Sequence, residues 1–316
     1  MSHSPDVSIV IPVLNERDNV DELCSRIRET LEPLEILFEV IFVDDQSTDG
    51  TIEKLEAIHA SDKRFQAVQF SRRFGYQISI FAGLEHSRGD VVITMDSDLQ
   101  HPPEVIPRML AKFREGQDVV NMVRKNLGEK SLLKRAGGMA FYRLINFLSP
   151  TPMALQSADF RLYSRQVVDV IREFPERTLF LRGLVGWVGF RQANLEFEEG
   201  TRTTGETKFS FWAMVKFAAD AIVSFSTSPL YAALYIGTAL SVTGGIYGVY
   251  TIAQALFTDN YPAGWPTIVC LLLMIGGAQM LLLGIIGIYV AKMFVEVKSR
   301  PRYIVRTRIG IDHQDS

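Results

Sequence analysis

The last third of the chain contains two long stretches that are almost free of charge. No charged residue occurs between Asp220 and Asp259, and none follows Asp259 before Lys292. A helix needs about 20 apolar residues to cross a bilayer, whereas a helix in a soluble core rarely stays uncharged for so long. A pair of buried core helices is the alternative. We predict two transmembrane helices, Leu230–Phe257 and Trp265–Ala291.

The basic residues predict how these spans are oriented. The link between them has no Lys or Arg. Loops rich in Lys and Arg stay in the cytoplasm, so we expect both termini to be cytoplasmic and the short link to lie outside. The glycines in both spans favour close helix packing and are compatible with a homo-oligomer. The flanking basic residues are Lys208 and Lys216 before the first span, and Lys292, Lys298, Arg300, Arg302, Arg306 and Arg308 after the second.

Short apolar runs alternate with segments of helical spacing over the first part of the chain. This alternation is typical of an α/β fold, a mostly parallel sheet with helices on both faces. Ligands of such sheets bind at the carboxyl ends of the strands, where polar clusters follow several of these runs. The predicted strands are Val7–Pro12, Phe38–Val43, Ala67–Phe70, Asp90–Met95 and Asp118–Met122, and the predicted helices are Asn19–Leu31, Ile52–Ala60 and one ending near His86.

Two aspartates, Asp96 and Asp98, stand at the end of the fourth run. With the period of a strand their side chains point the same way, and Ser97 points the other way. The two carboxylates repel each other unless a cation lies between them, and Mg²⁺ and Mn²⁺ take carboxylate oxygens together with substrate phosphates. The pair therefore indicates a metal and diphosphate site. The same residues could instead form a turn before a helix starting at Pro102 and Pro103.

Composition argues against several other classes. The net charge of −3 gives no basic balance, so we expect no nucleic-acid partner. Cys24 and Cys270 lie far apart and suggest neither a disulfide framework nor a zinc site. The polar segment Met1–Asp6 lacks the apolar core of a signal peptide.

Two amphipathic segments precede the predicted spans. Ser131–Leu148 mixes apolar and basic residues, and it could be an ordinary helix of the domain or lie on the bilayer surface. Lys208–Phe225 carries five aromatic residues, three of them in its first half, and leads into the first span. We therefore predict that Lys208–Phe225 lies in the membrane interface.

Five polar segments carry a resemblance to a known family. They are Ile11–Glu16, Asp44–Thr51, Asp96–Pro103, Ala158–Leu162 and Arg202–Lys208. Together they resemble the family 2 glycosyltransferases, and more narrowly the polyprenyl-phosphate branch with the bactoprenol glucosyltransferases and dolichol-phosphate mannose synthases. The resemblance covers nearly the whole chain.

The sequence departs from the family pattern at Arg73 and Tyr76, where relatives often have Asn and a basic residue. The Q-x-x-R-W pattern of processive synthases is missing, and Arg182–Trp187 stands near its place. This difference favours transfer of a single sugar over polymerisation.

The resemblance implies a GT-A fold, a nucleotide-sugar donor and a divalent metal, Mg²⁺ or Mn²⁺. Asp159 would act as the base or would orient sugar hydroxyls. Several assignments have structural alternatives: Asp45 and Ser47 could cap the next helix, Glu16 could be a first-turn residue that the helix dipole favours, and Arg202 and Lys208 could be interfacial charges. Carried over by position, the nucleotide-binding residues are Pro12, Leu14, Glu16, Asp44, Asp45, Ser47 and Ser97, the metal ligands are Asp96, Asp98 and Gln100, the phosphate-binding residues are Arg202 and Lys208, and the catalytic residues are Asp96, Asp98 and Asp159.

The implied reaction is inverting transfer of one sugar, with UDP-glucose as the expected donor and undecaprenyl phosphate as the expected acceptor, at the cytoplasmic face of the lipid bilayer. A processive polysaccharide synthase and a non-catalytic membrane scaffold are the alternatives. We expect a catalytic domain at 1–207, an interfacial segment at 208–228, a transmembrane hairpin at 229–292 and a basic cytoplasmic tail at 293–316.

Overall fold

The structure is a computed structural model that describes residues 4–125, 157–176, 181–198, 228–257 and 264–311. The chain divides into two compact units. The first consists of Met1–Arg143, Thr151–Phe209 and Arg300–Ser316, and the second consists of Leu144–Pro150 and Ser210–Ser299. The amphipathic segments Ser131–Leu148 and Lys208–Phe225 lie outside the described residues.

Among the described residues, the first unit has an eight-stranded sheet with the strand order β7-β5-β6-β4-β1-β2-β3-β8. The four central strands β4, β1, β2 and β3, which are adjacent in that order, are parallel, and so are β5 and β7. β6 is antiparallel to β4 and β5, and β8 is antiparallel to β3. The predicted mostly parallel sheet is confirmed. The strands are β1 Val7–Val13, β2 Phe38–Asp44, β3 Phe65–Phe70, β4 Val91–Thr94, β5 Val119–Arg124, β6 Ser157–Ser164, β7 Gln192–Phe197 and β8 Val305–Ile309.

Helices cover both faces of the sheet, which is why β1 to β4 are rich in apolar residues. Ile9 and Ile11 of β1 belong to the core on the side of α1, α2 and α4, and Val10 belongs to the core on the side of α3, α5 and α6. α3 approaches β1 so closely at Gly83 that a Cβ atom there would overlap the Val10 side chain. These helices are α1 Val20–Leu31, α2 Thr51–Ser61, α3 Tyr76–His86, α4 Ile106–Arg114, α5 Arg165–Glu173 and α6 Leu181–Trp187, with 3₁₀ turns at Glu32–Leu34 and Pro103–Val105.

In the part of the second unit that the structure describes there are two long apolar helices, α7 Ser228–Phe257 and α8 Trp265–Val297. Within them, Leu230–Tyr250 and Met274–Val297 are long and apolar enough to cross a membrane, by length and composition. Large apolar side chains along both helices are exposed, as a surface in contact with lipid requires. The two predicted spans therefore correspond to two helices of the right length.

The segment after α8 forms β8, a strand that the sequence analysis did not predict. β8 pairs with β3, with Ala67 opposite Ile309. Just before it, the Tyr303 ring packs against Phe70 with 5.1 Å between the ring centroids. The Arg302 guanidinium donates hydrogen bonds to the backbone carbonyls of Phe174 and Glu176. Part of the predicted basic tail is thus an ordered strand at the edge of the sheet.

Candidate active site

The paired aspartates lie in the loop that follows β4. β4 ends at Thr94, one residue before the predicted end, so Asp96 and Asp98 are outside the strand. Accessibility nevertheless alternates along the loop, and Leu99 has a left-handed backbone with φ of 63°, which is uncommon for a residue other than glycine. The half-buried residues are Asp96, Asp98 and Gln100, and the buried residues are Met95, Ser97 and Leu99.

Asp96 is held at both its carboxylate and its backbone. The Tyr76 hydroxyl donates a hydrogen bond to Asp96 Oδ1 at 2.5 Å. The backbone amide of Asp96 donates to Nδ1 of His101 at 2.9 Å. Both partners were absent from the predicted site. No short-range pattern marks Tyr76, which lies 20 residues before Asp96. His101 lies within the Asp96–Pro103 segment but had no assigned role.

His101 is a buried support for this loop. Its ring is fully buried and stacks on Phe160 at 4.9 Å, and Phe197 meets it edge-on at 5.8 Å. Because Nδ1 accepts the Asp96 amide proton, the neutral ring carries its own proton on Nε2. Burial lowers the pKa of His101. Nδ1 also lies 3.4 Å from Asp96 Oδ2, and the charges of Asp96, Asp98 and Asp159 oppose this lowering of the His101 pKa.

The loops after β1 and β2 are joined through Asn15. The Asn15 amide donates to Ser47 Oγ at 2.8 Å, and its side-chain oxygen accepts from the Thr48 amide at 2.8 Å. Asn15 and Gln46 both have left-handed backbones, with φ of 58° and 65°. Such conformations cost free energy and often occur at functional sites. Ser47 therefore has a structural contact in addition to its predicted nucleotide role.

Asp44 and Asp45 at the end of β2 are both buried and hydrogen-bonded. Asp44 accepts from the Ser47 amide at 3.0 Å and from the Gln69 side chain at 3.0 Å. Asp45 accepts from the amides of Phe74 at 2.6 Å and Gly75 at 3.0 Å. A nucleotide would have to use the remaining lone pairs of these carboxylates.

The helix-cap alternative for Asp45 and Ser47 does not hold for α2. The first residue of α2, Thr51, donates its backbone amide to Asp49 Oδ1 at 3.0 Å, and its hydroxyl donates to the same oxygen at 2.6 Å. Asp49 therefore accepts the hydrogen bonds at the start of α2. Asp45 instead accepts hydrogen bonds from the loop after β3.

Glu16 lies close enough to the paired aspartates for their charges to affect it. Burial raises the pKa of Glu16, the hydrogen bond from Asn19 opposes this rise, and repulsion from Asp98, Asp49 and Asp96 adds to it. The Asn19 side chain donates to Glu16 Oε2 at 2.6 Å. Negative charge therefore accumulates at the carboxyl ends of β1, β2 and β4, where a cation would be stabilised.

The other predicted nucleotide-binding residues differ in accessibility. Leu14 is 38% exposed, Pro12 is buried within β1, and the Ser97 side chain is buried beneath the loop after β4. Of these three, Leu14 offers a surface that a nucleoside could contact directly.

Asp159 lies on β6, the antiparallel neighbour of β4. The Thr94 hydroxyl donates to the backbone carbonyl of Asp159 at 2.6 Å, and Thr94 pairs with Arg161 in the β4–β6 ladder. Asp159, Asp96 and Asp98 all lie close enough to His101 for their charges to affect its pKa. Asp159 is 8% exposed. The fold therefore brings the predicted catalytic carboxylate to the same edge as the paired aspartates, from more than sixty positions away.

The donor groups suit a cation that is shared with a substrate. Among the described residues, no three His, Cys, Asp or Glu side chains converge into a complete metal cage. Asp96, Asp98 and Gln100 offer two carboxylates and an amide oxygen, and the Gln100 backbone amide donates to Asp98 Oδ1 at 3.1 Å. Mg²⁺ is commonly held by one or two carboxylates plus substrate phosphates and water, so these residues fit it. The predicted phosphate-binding residues Arg202 and Lys208 lie outside the described residues.

Comparison with known proteins identifies the family. Residues 8–172 match the model of the family described as "Glycosyl transferase family 2". The chain is 37% identical over 308 residues to a protein of Synechocystis sp. described as an uncharacterized glycosyltransferase, covering 98% of this chain and 97% of that protein. It is 37% identical over 304 residues to the bactoprenol glucosyl transferase of Shigella phage SfX, covering 96% of this chain and 99% of that protein.

Among solved structures, the chain is similar to glucosyl-3-phosphoglycerate synthase from Mycobacterium tuberculosis in complex with Mn²⁺, UDP-glucose and phosphoglyceric acid. The identity is 21%, the TM-score is 0.45, and the match covers 69% of this chain and 78% of that one. The family match, together with the sheet described above, confirms the predicted GT-A fold class. The chain belongs to the family 2 glycosyltransferases.

Proposed function

We propose that this glycosyltransferase moves one glucose from UDP-glucose to a polyprenyl phosphate. The observation that carries the proposal is the 37% identity to a bactoprenol glucosyl transferase over 96% of the chain. That relative's name gives both the sugar and the class of acceptor. The match includes the C-terminal apolar helices as well as the sheet, so it supports the lipid acceptor along with the sugar transfer. A processive synthase and a non-catalytic scaffold are not favoured.

We assign the donor diphosphate to the loop after β4. A divalent cation, Mg²⁺ or Mn²⁺, would supply Lewis-acid stabilisation to the diphosphate as it leaves. Asp96 and Asp98 would hold this cation through carboxylate oxygens, with Gln100 beside them. Their half-buried positions leave them accessible to a ligand.

We assign the nucleoside to the edge formed by the loops after β1 and β2. Asn15 and Ser47 hold these loops together, and Leu14 presents an exposed apolar side chain beside them. Glu16, Asp44 and Asp45 would border the nucleoside from the same edge. Loops that are already joined by hydrogen bonds need less ordering when a ligand binds.

The acceptor phosphate would supply the nucleophile. One of its oxygens forms a bond to the anomeric carbon as the bond from that carbon to the UDP oxygen breaks, and attack from the opposite face inverts the configuration. A phosphate monoester has a second pKa near ~6 and is mostly dianionic at pH 7, so it needs little help from a base. Asp159 would then orient sugar hydroxyls. If it acted as a base instead, the rate would fall at pH values where its carboxyl group becomes protonated.

The lipid acceptor requires the reaction to take place at a membrane. The apolar helices α7 and α8 would anchor the protein in the bilayer, with both termini and residues 1–207 in the cytoplasm. Lys208 and Arg202 would meet phosphates at the headgroup layer, and the segment 208–228 would lie in the interface. The hairpin would span residues 229–292, and residues 293–316 would return to the cytoplasm.

The test is direct identification of the product. Purified protein in neutral detergent is incubated with undecaprenyl phosphate and, in separate reactions, UDP-glucose, UDP-galactose or GDP-mannose, with Mn²⁺ or with EDTA. Mass spectrometry should find glucosyl-phosphoryl-undecaprenol in the UDP-glucose reaction with Mn²⁺, and far less in EDTA. The Asp98→Asn variant is the matched control for contaminating activity. A product with another sugar, or polymeric glucan, would contradict the proposal.

A further inference from the structure

The contact between Tyr76 and Asp96 joins two loops of the active-site edge. Tyr76 is the first residue of α3, and its hydroxyl lies 2.5 Å from Asp96 Oδ1. Tyr76 is 40% exposed, and the Asp96 side chain is 29% exposed. Both groups therefore border the accessible part of the site, where a cation could reach the Asp96 carboxylate.

Hydrogen bonds to the two residues before Tyr76 fix the position of this side chain. Asp45, at the end of β2, accepts the backbone amides of Phe74 and Gly75, the two residues before Tyr76. Gly75 has a φ of +99°, a conformation that side chains rarely adopt. The Phe74 ring packs edge-on against Phe70 at 5.5 Å. The tyrosine is therefore presented by an anchored loop.

The Tyr76 hydroxyl restrains one carboxylate oxygen of Asp96 without placing a positive charge beside it. Tyr76 contacts Oδ1, while His101 holds the backbone amide of the same residue. A tyrosine hydroxyl is a neutral donor, so it orients the carboxylate without cancelling its charge. A lysine or arginine in the same place would compete with a bound cation.

We propose that Tyr76 is a positioning residue of the donor site, whose hydroxyl orients the Asp96 carboxylate for a divalent cation. This inference rests on the proposed function, because it assumes that Asp96 binds the metal. Tyr76 acts through Asp96 and needs no contact with sugar or nucleotide.

The test uses Tyr76→Phe, which removes only the hydroxyl. Mn²⁺ affinity is measured in the presence of UDP by electron paramagnetic resonance of free Mn²⁺, a readout that requires no turnover. Loss of a partner that orients a metal ligand typically weakens metal affinity 10- to 100-fold, and we expect a dissociation constant about 10-fold higher. Because Tyr76 is partly exposed, the variant should fold, and its thermal unfolding is recorded as a check.

The matched control is Tyr303→Phe. It removes a tyrosine hydroxyl that lies 3.4 Å from His86 Nε2, in the segment before β8. Its Mn²⁺ affinity should stay within twofold of the wild-type value. UDP affinity in EDTA, measured by calorimetry, should be unchanged in both variants.

Two results would overturn the inference while leaving the proposed function intact. One is a Tyr76→Phe protein that binds Mn²⁺ within twofold of wild type. The other is a loss of metal-free UDP affinity in that variant, which would place Tyr76 against the nucleotide. A wild-type protein that glucosylates the lipid but binds no Mn²⁺ overturns the positioning role and the metal assignment together. Failure of the wild type to glucosylate polyprenyl phosphate counts against the proposed function.

Discussion

The Asp45→Asn substitution distinguishes two roles for a buried aspartate, namely nucleotide binding and support of a loop. Sequence resemblance assigns Asp45 to the nucleotide, whereas in the structure its carboxylate accepts the amides of Phe74 and Gly75 at 2.6 and 3.0 Å. Asparagine keeps the shape but offers one acceptor oxygen, so its NH₂ group must face one of the two amides. One hydrogen bond to a charged group is then lost.

The size of the effect follows from that lost bond. A hydrogen bond to a charged group contributes about 1.5–3 kcal/mol, and Asp45 is only 7% exposed, so water cannot easily replace it. For a domain of roughly 150–250 residues, 1 kcal/mol corresponds to about 2–4 °C in Tm. We therefore expect the unfolding midpoint of the catalytic unit to fall by about 3–12 °C.

The assay compares Asp45→Asn with Asp98→Asn, a change of the same chemistry at a half-buried residue. Thermal unfolding is followed in detergent, and UDP affinity is measured by calorimetry well below the midpoint. Asp45→Asn should lower Tm, whereas Asp98→Asn should leave Tm nearly unchanged and weaken Mn²⁺ binding. An Asp45→Asn protein with a wild-type Tm and a large loss of UDP affinity would refute the structural reading and favour direct nucleotide contact.

Three further predictions address the metal, the membrane and the acceptor. Asp98→Ala should lower the glucosylation rate about 10²-fold or more, because it removes charge stabilisation of the leaving diphosphate; near-normal turnover in a folded variant would exclude the metal role. A cysteine introduced beside Tyr261 should react with an external impermeant reagent and one beside Ser316 should not; the opposite labelling would reverse the topology. Lys208→Ala should raise the apparent KM for polyprenyl phosphate or lower kcat by about 10- to 100-fold, with little change in donor affinity. Steady-state kinetics measures the effect on the acceptor, and calorimetry measures nucleotide affinity. A loss of nucleotide affinity with an unchanged acceptor KM would place Lys208 at the donor site.

The central strands and the long apolar helices could be predicted from local sequence. β1 to β4 are covered by helices on both faces, so each is rich in apolar residues between polar segments, although β3 includes Gln66 and Gln69. α7 and α8 are recognisable because charge is almost absent from them over more residues than a soluble core helix allows. Both signals depend on residues that are close together in the chain.

The edge strands could not be predicted in the same way. β7, Gln192–Phe197, alternates in exposure and contains several polar residues at the margin of the sheet. β8, Val305–Ile309, includes two arginines and forms only by pairing with β3, which lies more than 230 positions earlier in the chain. An edge strand buries less apolar surface, so its local pattern is weak, and its pairing is decided by the rest of the fold.

For the site, the sequence by itself determined which acidic residues end the strands, since a parallel sheet brings the carboxyl ends of its strands to one edge. This argument predicts Asp96 and Asp98, whereas Asp159, on the antiparallel strand β6, follows from the resemblance alone. Only the tertiary structure decided what holds them. The contact of Tyr76 with Asp96 and the anchoring of its loop by Asp45 join residues 20 and about 30 positions apart. Periodicity reports which face of an element is buried, whereas hydrogen bonds between loops depend on strand register and backbone conformation, and no local pattern encodes these.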